Sequence, residues 1–319
     1  MNAVAVEQLR RPGANATTRP FGSRLTHAAG YVGRLLAFGV VLLTALIVGG
    51  LTQIGLNDYL RPLRTLSDLT PASFGLAYRD APLLTEDGLQ LAAWYVPGMR
   101  SETLILVHGL GSNRGDTLAM AAELHARGYA LMVLDLRAHG SSEGDMSTLG
   151  VKEVRDIRAA LDYLRTQPEV DPARIGIYGG SLGAAVALLS AGAIPELRAV
   201  VADSTFASAR WVVGHQLHSL LNLPDWFGPL LLTVGGLEAG ISVDDAAPAV
   251  AAAHLGSRPL LVIHGTSDST FDVENARMIY AVASGPRHTD SRRIRCRLFH
   301  FQSAAGTLCP MDRRRGPSP

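Results

Sequence analysis

Five short apolar runs, each handing over to polar residues or glycine at its C-terminal end, constrain this chain more than any other feature. Residues 103–107 lead into His108-Gly109, 130–134 into Asp135, 174–178 into Gly179-Gly180-Ser181, 198–202 into Asp203, and 259–263 into His264-Gly265. Continuous apolar runs of this length read as strands buried on both faces, as in a parallel sheet covered by helices. Helical stretches separate them. In 151–165, for example, Val154, Ile157, Leu161 and Leu164 fall on one face. The alternation predicts an α/β fold, a mostly parallel sheet with helices on both faces, whose ligands sit at the C-terminal ends of the strands.

A second constraint lies ahead of that domain. Residues 35–54 run nearly without charge over about the length that crosses a ~30 Å hydrocarbon layer, which predicts one N-terminal transmembrane helix within 31–56. A cleaved signal peptide has a shorter apolar region, about 7–15 residues, and Gly49-Gly50 is a poor cleavage site, so an uncleaved single-pass anchor is expected. Arg10, Arg11, Arg19, Arg24 and Arg34 precede the span, while Arg61 and Arg64 behind it are offset by Asp58 and Asp68. The positive-inside bias then puts the N-terminus in the cytoplasm and the following domain outside the cell membrane. Residues 1–30 read as a basic disordered tail, 57–81 as a linker, 82–286 as the α/β domain and 287–319 as an atypical arginine-rich tail. Charged residues make up 18% of the chain and cancel to +1, which argues against nucleic acid as a partner. The two cysteines, Cys296 and Cys309, form neither a disulfide framework nor a ligand cluster, so no metal and no cofactor is expected.

Gly179-Gly180-Ser181-Leu182-Gly183 has the G-x-S-x-G pattern, set between a predicted strand and an apolar helix at 184–191. Glycine permits the sharp turn that pushes a serine out at its tip. Ser181 is therefore the candidate nucleophile. The backbone N–H of Leu182 at the helix start, with that of Leu110 after the earlier strand, would form an oxyanion hole. A glycine-rich turn with a capping serine is the competing reading, and the strand, turn and helix together favour the elbow. Gly109-Leu110-Gly111 with Gly115 does not make a dinucleotide fingerprint, because its third glycine is misplaced.

These residues, together with His108 to Arg114, Asp135 to Ser142, Ala202 to Phe206 and Ile263 to Asp268, make residues 82–286 resemble the α/β-hydrolase superfamily, in its serine-aminopeptidase-like and monoacylglycerol-lipase-like branches. The resemblance implies the α/β-hydrolase fold and makes Asp268 the acid that orients a catalytic histidine. Asp203 is the substitute acid of some hydrolases, and Asp268 also reads as a cap of the next helix. His139 falls in a structural loop, where Ala138 replaces the usual glycine. The family would next show a helix, present at 273–283, then a short apolar strand and a loop bearing the base. The stretch after Pro286 is instead arginine-rich and poorly strand-like. The best strand candidate, 294–299, makes His300 the expected base, whereas His288 precedes any returning strand. A second reading is that the tail is out of frame: suitable codons for 290–297, read one nucleotide later, encode an apolar strand and a glycine loop of the missing kind.

Residues 206–250 are long enough for a cap, and Trp211, Val212, Val213, Leu217, Leu220, Leu221, Leu223, Trp226, Phe227 and 230–232 make it strongly apolar. Beside a membrane such a cap suits a small-molecule or lipid acyl substrate, although packing on the core explains the same residues. The expected activity is hydrolysis of a carboxylic ester or thioester. A serine aminopeptidase-like peptidase and a non-catalytic binding or scaffold protein on the same fold are the alternatives.

Overall fold

The computed structural model describes residues 21–213 and 226–292. The chain forms two units, one up to Gln53 and one from Ile54 onward. The first is built on α1 (Phe21–Leu60), whose stretch Tyr31–Leu60 is long and apolar enough to cross a membrane, with a mean hydropathy of 2.4. Two threonines fold their hydroxyls back onto the helix: Thr44 Oγ1 donates to Val40 O at 2.9 Å and Thr52 Oγ1 to Val48 O at 2.8 Å. Polar side chains tolerated in this way leave the helix surface apolar.

The second unit is organised by an eight-stranded sheet. Its order is β1 (Arg79–Asp80), β4 (Ala93–Val96), β6 (Ala130–Leu134), β5 (Thr103–Val107), β7 (Ile175–Gly180), β8 (Leu197–Asp203), β9 (Leu260–Gly265) and β10 (Arg287–Arg292). The pairs β1–β4 and β4–β6 are antiparallel and every later pair is parallel. A two-stranded sheet, β2 (Leu83–Leu84) and β3 (Gln90–Leu91), stands apart. The strand pleat divides the core in two. Ile105, Met132 and Ile177 point to one face, where they meet Ile157, Leu161 and Leu164 of α3 (Val154–Arg165). Leu106, Leu131 and Val133 point to the other, against Leu118 and Ala121 of α2 (Leu118–His125). Each such side chain contributes about 1.5–3 kcal/mol by leaving water, which explains why the central runs are apolar at every position rather than alternating.

The unit also contains α4 (Leu182–Ala193), α5 (Phe227–Ala239), α6 (Pro248–Ala253) and α7 (Glu274–Val282), and residues 209–213 are helical too. The apolar α5 lies within the expected cap. Its Leu231 and Ala239 pack with Leu56 and Leu60 at the end of α1 in a cluster separate from the sheet core. Residues 57–81, expected as a linker, hold the end of α1, a 3-10 turn at Pro71–Phe74 and the strand β1.

The last strand corrects one expectation, that the arginine-rich stretch after Pro286 is poorly strand-like and that His288 precedes any returning strand: β10 forms at Arg287–Arg292, with Arg287 opposite Leu260 and Arg292 opposite Gly265. The strand candidate 294–299 lies outside the described residues. An edge strand is held by one main-chain ladder and needs no apolar run, so its arginines do not disqualify it.

Candidate active site

Ser181 occupies the junction of β7 and α4 with φ 53° and ψ −118°, a conformation that costs a non-glycine residue about 1–3 kcal/mol. Neighbouring backbone holds it there. Its N–H donates to Asp203 O at 2.8 Å, and its carbonyl accepts from Ala184 N at 3.0 Å as α4 begins. The turn also needs a close approach, since a Cβ on Gly183 would lie 2.3 Å from Val107 O. The side chain of Ser181 caps nothing and is half-buried at the C-terminal edge of the sheet. The N–H of Leu182, next in the chain, belongs to the first turn of α4, where backbone donors lack intrahelical partners.

The loop after β5 reaches the same point. A Cβ on Gly109 would sit 3.4 Å from Ser181 Cβ, so the backbone leading to Leu110 lies directly against the serine. Gly109 to Ser112 form a turn closed by Ser112 N to Gly109 O at 3.3 Å, with Gly111 at φ 69° in the position where a type II turn requires a positive φ. Asp135, at the end of β6, ties this loop to the next: Oδ1 accepts from Arg114 N at 2.6 Å and Oδ2 from Ser141 N at 3.0 Å. Burial pushes its carboxyl pKa up, against the pull of those two amides and of the Arg114 guanidinium.

Both histidines in this region are buried and bonded to the backbone. His108 Nε2 accepts from Leu136 N at 3.1 Å, which assigns its proton to Nδ1, 2.7 Å from Gly109 O. His139 contacts Arg137 O through Nδ1 at 2.8 Å, and its buried Nε2 has no hydrogen-bond partner among the described residues. The two rings lie 5.0 Å apart, and burial holds each down to about 4, so both are neutral near pH 7. The loop bearing His139 is anchored by Arg137, which donates to Asp156 at 2.7 and 2.9 Å and to Asp87 at 2.8 and 3.1 Å.

Asp268 follows β9. Its Oδ1 accepts from Thr270 N at 2.8 Å and Phe271 N at 3.1 Å, which locks the rotamer and leaves Oδ2, 3.7 Å from His264 Nε2, open to another donor. The helix-cap alternative falls to a different residue: Asp272 Oδ1 accepts from Glu274 N at 2.8 Å at the start of α7. Asp203 ends β8 and engages Tyr178 Oη at 3.3 Å and Ser204 Oγ at 3.0 Å. Burial raises its pKa, and the nearby Asp268 carboxylate adds to the rise. Ser181, Leu182, Leu110 and Asp268 thus all lie at the C-terminal edge of the parallel strands. His300 is outside the described residues. His288 is exposed at the N-terminal end of β10, opposite Leu261. No group of side chains suited to holding a metal ion occurs among the described residues.

The roles of Asp135, Arg137 and Tyr178 in shaping this edge are not assigned by the sequence reading. The Asp135-Leu136-Arg137 run after an apolar strand is the available signal for the first two. Of the expected cap, Leu217, Leu220, Leu221 and Leu223 fall outside the described residues. Trp226 is exposed, whereas Phe227 and Leu231 are buried.

Comparison with known proteins agrees with this fold. The family described as X-Pro dipeptidyl-peptidase (S15 family) matches residues 109–234. The uncharacterized protein Rv2307c of Mycobacterium tuberculosis is 30% identical over 265 residues, 80% of this chain and 85% of its own. The alpha/beta hydrolase domain-containing protein WAV2 of Arabidopsis thaliana is 28% identical over 246 residues, 74% of each chain. Among solved structures, an esterase of Pyrococcus furiosus superposes with a TM-score of 0.60 at 26% identity, covering 74% of this chain and 89% of the esterase.

Proposed function

The chain belongs to the α/β-hydrolase superfamily, and from that membership we propose a membrane-anchored serine hydrolase that cleaves a carboxylic ester or thioester of a lipophilic acyl group. The observation that carries this reading is the backbone of Ser181, held at φ 53° and ψ −118° on the tip between β7 and α4. A strained serine at that place presents Oγ to a substrate carbonyl. Attack on the carbonyl carbon forms a tetrahedral intermediate, with the Ser181 proton passing to a histidine and the oxyanion received by the Leu110 and Leu182 amides. Collapse expels the alcohol or thiol with that proton, and water then releases the acid from the acyl-serine. Asp268, with one oxygen locked by two amides, is suited to orienting the histidine from the other. The likeness to an esterase supports an ester as substrate. The long apolar helix supports an anchor and, with it, a lipophilic acyl chain.

The family match over residues 109–234 favours a second reading, release of N-terminal residues from peptides. A fluorophosphonate probe should label the wild type and not Ser181→Ala, and the substitution should lower turnover by about three orders of magnitude or more. Equal labelling of both would remove Ser181 as the nucleophile. A paired screen of acyl esters against aminoacyl and prolyl amides then separates the two readings.

A further inference from the structure

The segment following α1 crosses the edge of the sheet that carries Ser181, and polar contacts hold it there. Leu60 O accepts from Ser147 N at 2.8 Å. Arg61 pairs with Glu238 on α5. The Arg64 guanidinium donates to the carbonyls of Ser142 and Gly144, and to that of Gly140 at 3.3 Å. Thr65 Oγ1 donates to Gly111 O at 3.1 Å and accepts from Asn113 Nδ2 at 3.2 Å. The leucines of the same segment face away, with Leu63 87% and Leu66 71% exposed, so apolar burial does not fix it.

The turn that Thr65 grips closes weakly, although His108 Nδ1 lies 2.7 Å from Gly109 O at its start and Ser112 Oγ donates to Asp116 at its end. Its closing bond, Ser112 N to Gly109 O, is 3.3 Å, at the long end of the useful range. Beyond its chain neighbours, no atom lies within 4 Å of the place a Cβ on Gly111 would occupy, so packing from elsewhere does not brace it there. Yet the turn carries Leu110 and begins at Gly109, whose backbone lies against Ser181. An oxyanion donor must be held about 3 Å from where negative charge develops, and small misplacements are costly.

We propose that Thr65 is a positioning residue: by pinning Gly111 O on one side and Asn113 on the other, it orders the Gly109 to Ser112 turn and so aims the Leu110 N–H at the Ser181 site. The catalytic part of this inference rests on the serine-hydrolase reading; the ordering of the turn does not. The segment after the apolar helix is then part of the catalytic machinery's support rather than a passive tether. Arg64 contributes by clamping the neighbouring 140–144 loop, which Asp135 already links to the same turn.

The test compares Thr65→Val, which keeps the shape and removes both hydrogen bonds, with Thr65→Ser, which restores them, in the full detergent-solubilised chain. Amide hydrogen exchange by mass spectrometry should rise about tenfold in peptides spanning 109–113 for Thr65→Val, with β5 and α4 unchanged, and return to the wild-type rate for Thr65→Ser. With a chromogenic acyl ester, kcat for Thr65→Val should fall about tenfold to a hundredfold with KM near wild type, and recover in Thr65→Ser. Unchanged exchange at 109–113 overturns the proposal, and raised exchange with unchanged kcat overturns the catalytic part of it. If Thr65→Val loses its fold, exchange rises in β5 and α4 as well, and Thr65→Ala read against Thr65→Ser takes its place. A wild type without Ser181-dependent turnover defeats the hydrolase reading, and the exchange arm alone then decides whether Thr65 orders the turn.

Discussion

At the residue scale, the site is a set of locally unfavourable choices that neighbours make tolerable. Ser181 keeps a positive φ because its N–H and carbonyl are both engaged and Gly183 lets the chain pass against Val107. His108 and His139 are sealed in the interior as neutral rings, and this has a pH consequence. Burial holds each down to about 4, while the unfolded chain returns them to about 6.5. As pH falls from about 6.5 towards 4 the unfolded state takes up protons that the folded state refuses, so stability present above 6.5 is lost across that window. Each unit of depression corresponds to about 1.4 kcal/mol, so the loss is on the order of a few kcal/mol. Denaturation of the detergent-solubilised chain between pH 7 and 4.5 should show it, and His139→Asn, whose amide can still donate to Arg137 O, should reduce the slope. Identical slopes for the two proteins would mean that the His139 ring is not held neutral in the fold.

At the element scale, the question is what β10 delivers. It runs parallel to β9, and Arg292 stands level with Gly265, on the edge where Asp268 lies. His288, at the opposite end of that strand, is in no position to serve. A serine without a histidine in reach cannot form its alkoxide cheaply near neutral pH, and hydrolysis should then fall by several orders of magnitude. If His300 is the base, His300→Ala abolishes turnover and His288→Ala leaves it largely intact. An out-of-frame tail predicts instead that both variants match an already feeble wild type, and that supplying a histidine loop after an apolar strand raises activity sharply. Strong turnover that survives both substitutions would rule out both explanations.

At the scale of the whole molecule, the long apolar helix and the arginines before residue 35 set the expected orientation, with the hydrolase unit on the extracytoplasmic side. A reporter fused after Pro319 should be active outside the cytoplasm. Activity inside would reverse the orientation and leave the fold untouched.

The sequence by itself determined the strands β5 to β9, the helix α4 and the position of Ser181, because each is written in a short contiguous signal: an apolar run, a glycine pair, a strand-to-helix transition. The placement of Asp268 at the same edge followed from the resemblance, since residues far apart in the chain carry no local mark of their proximity. Only the tertiary structure decided where β10 begins, because an edge strand is selected by the free hydrogen-bonding groups of β9 and not by its own hydrophobicity. Only it showed Arg137 closing on Asp87 and Asp156, or Thr65 reaching Gly111 across the turn. Those contacts join segments distant in sequence through single polar atoms, and a lone threonine in a linker looks like any other until the chain has folded around it.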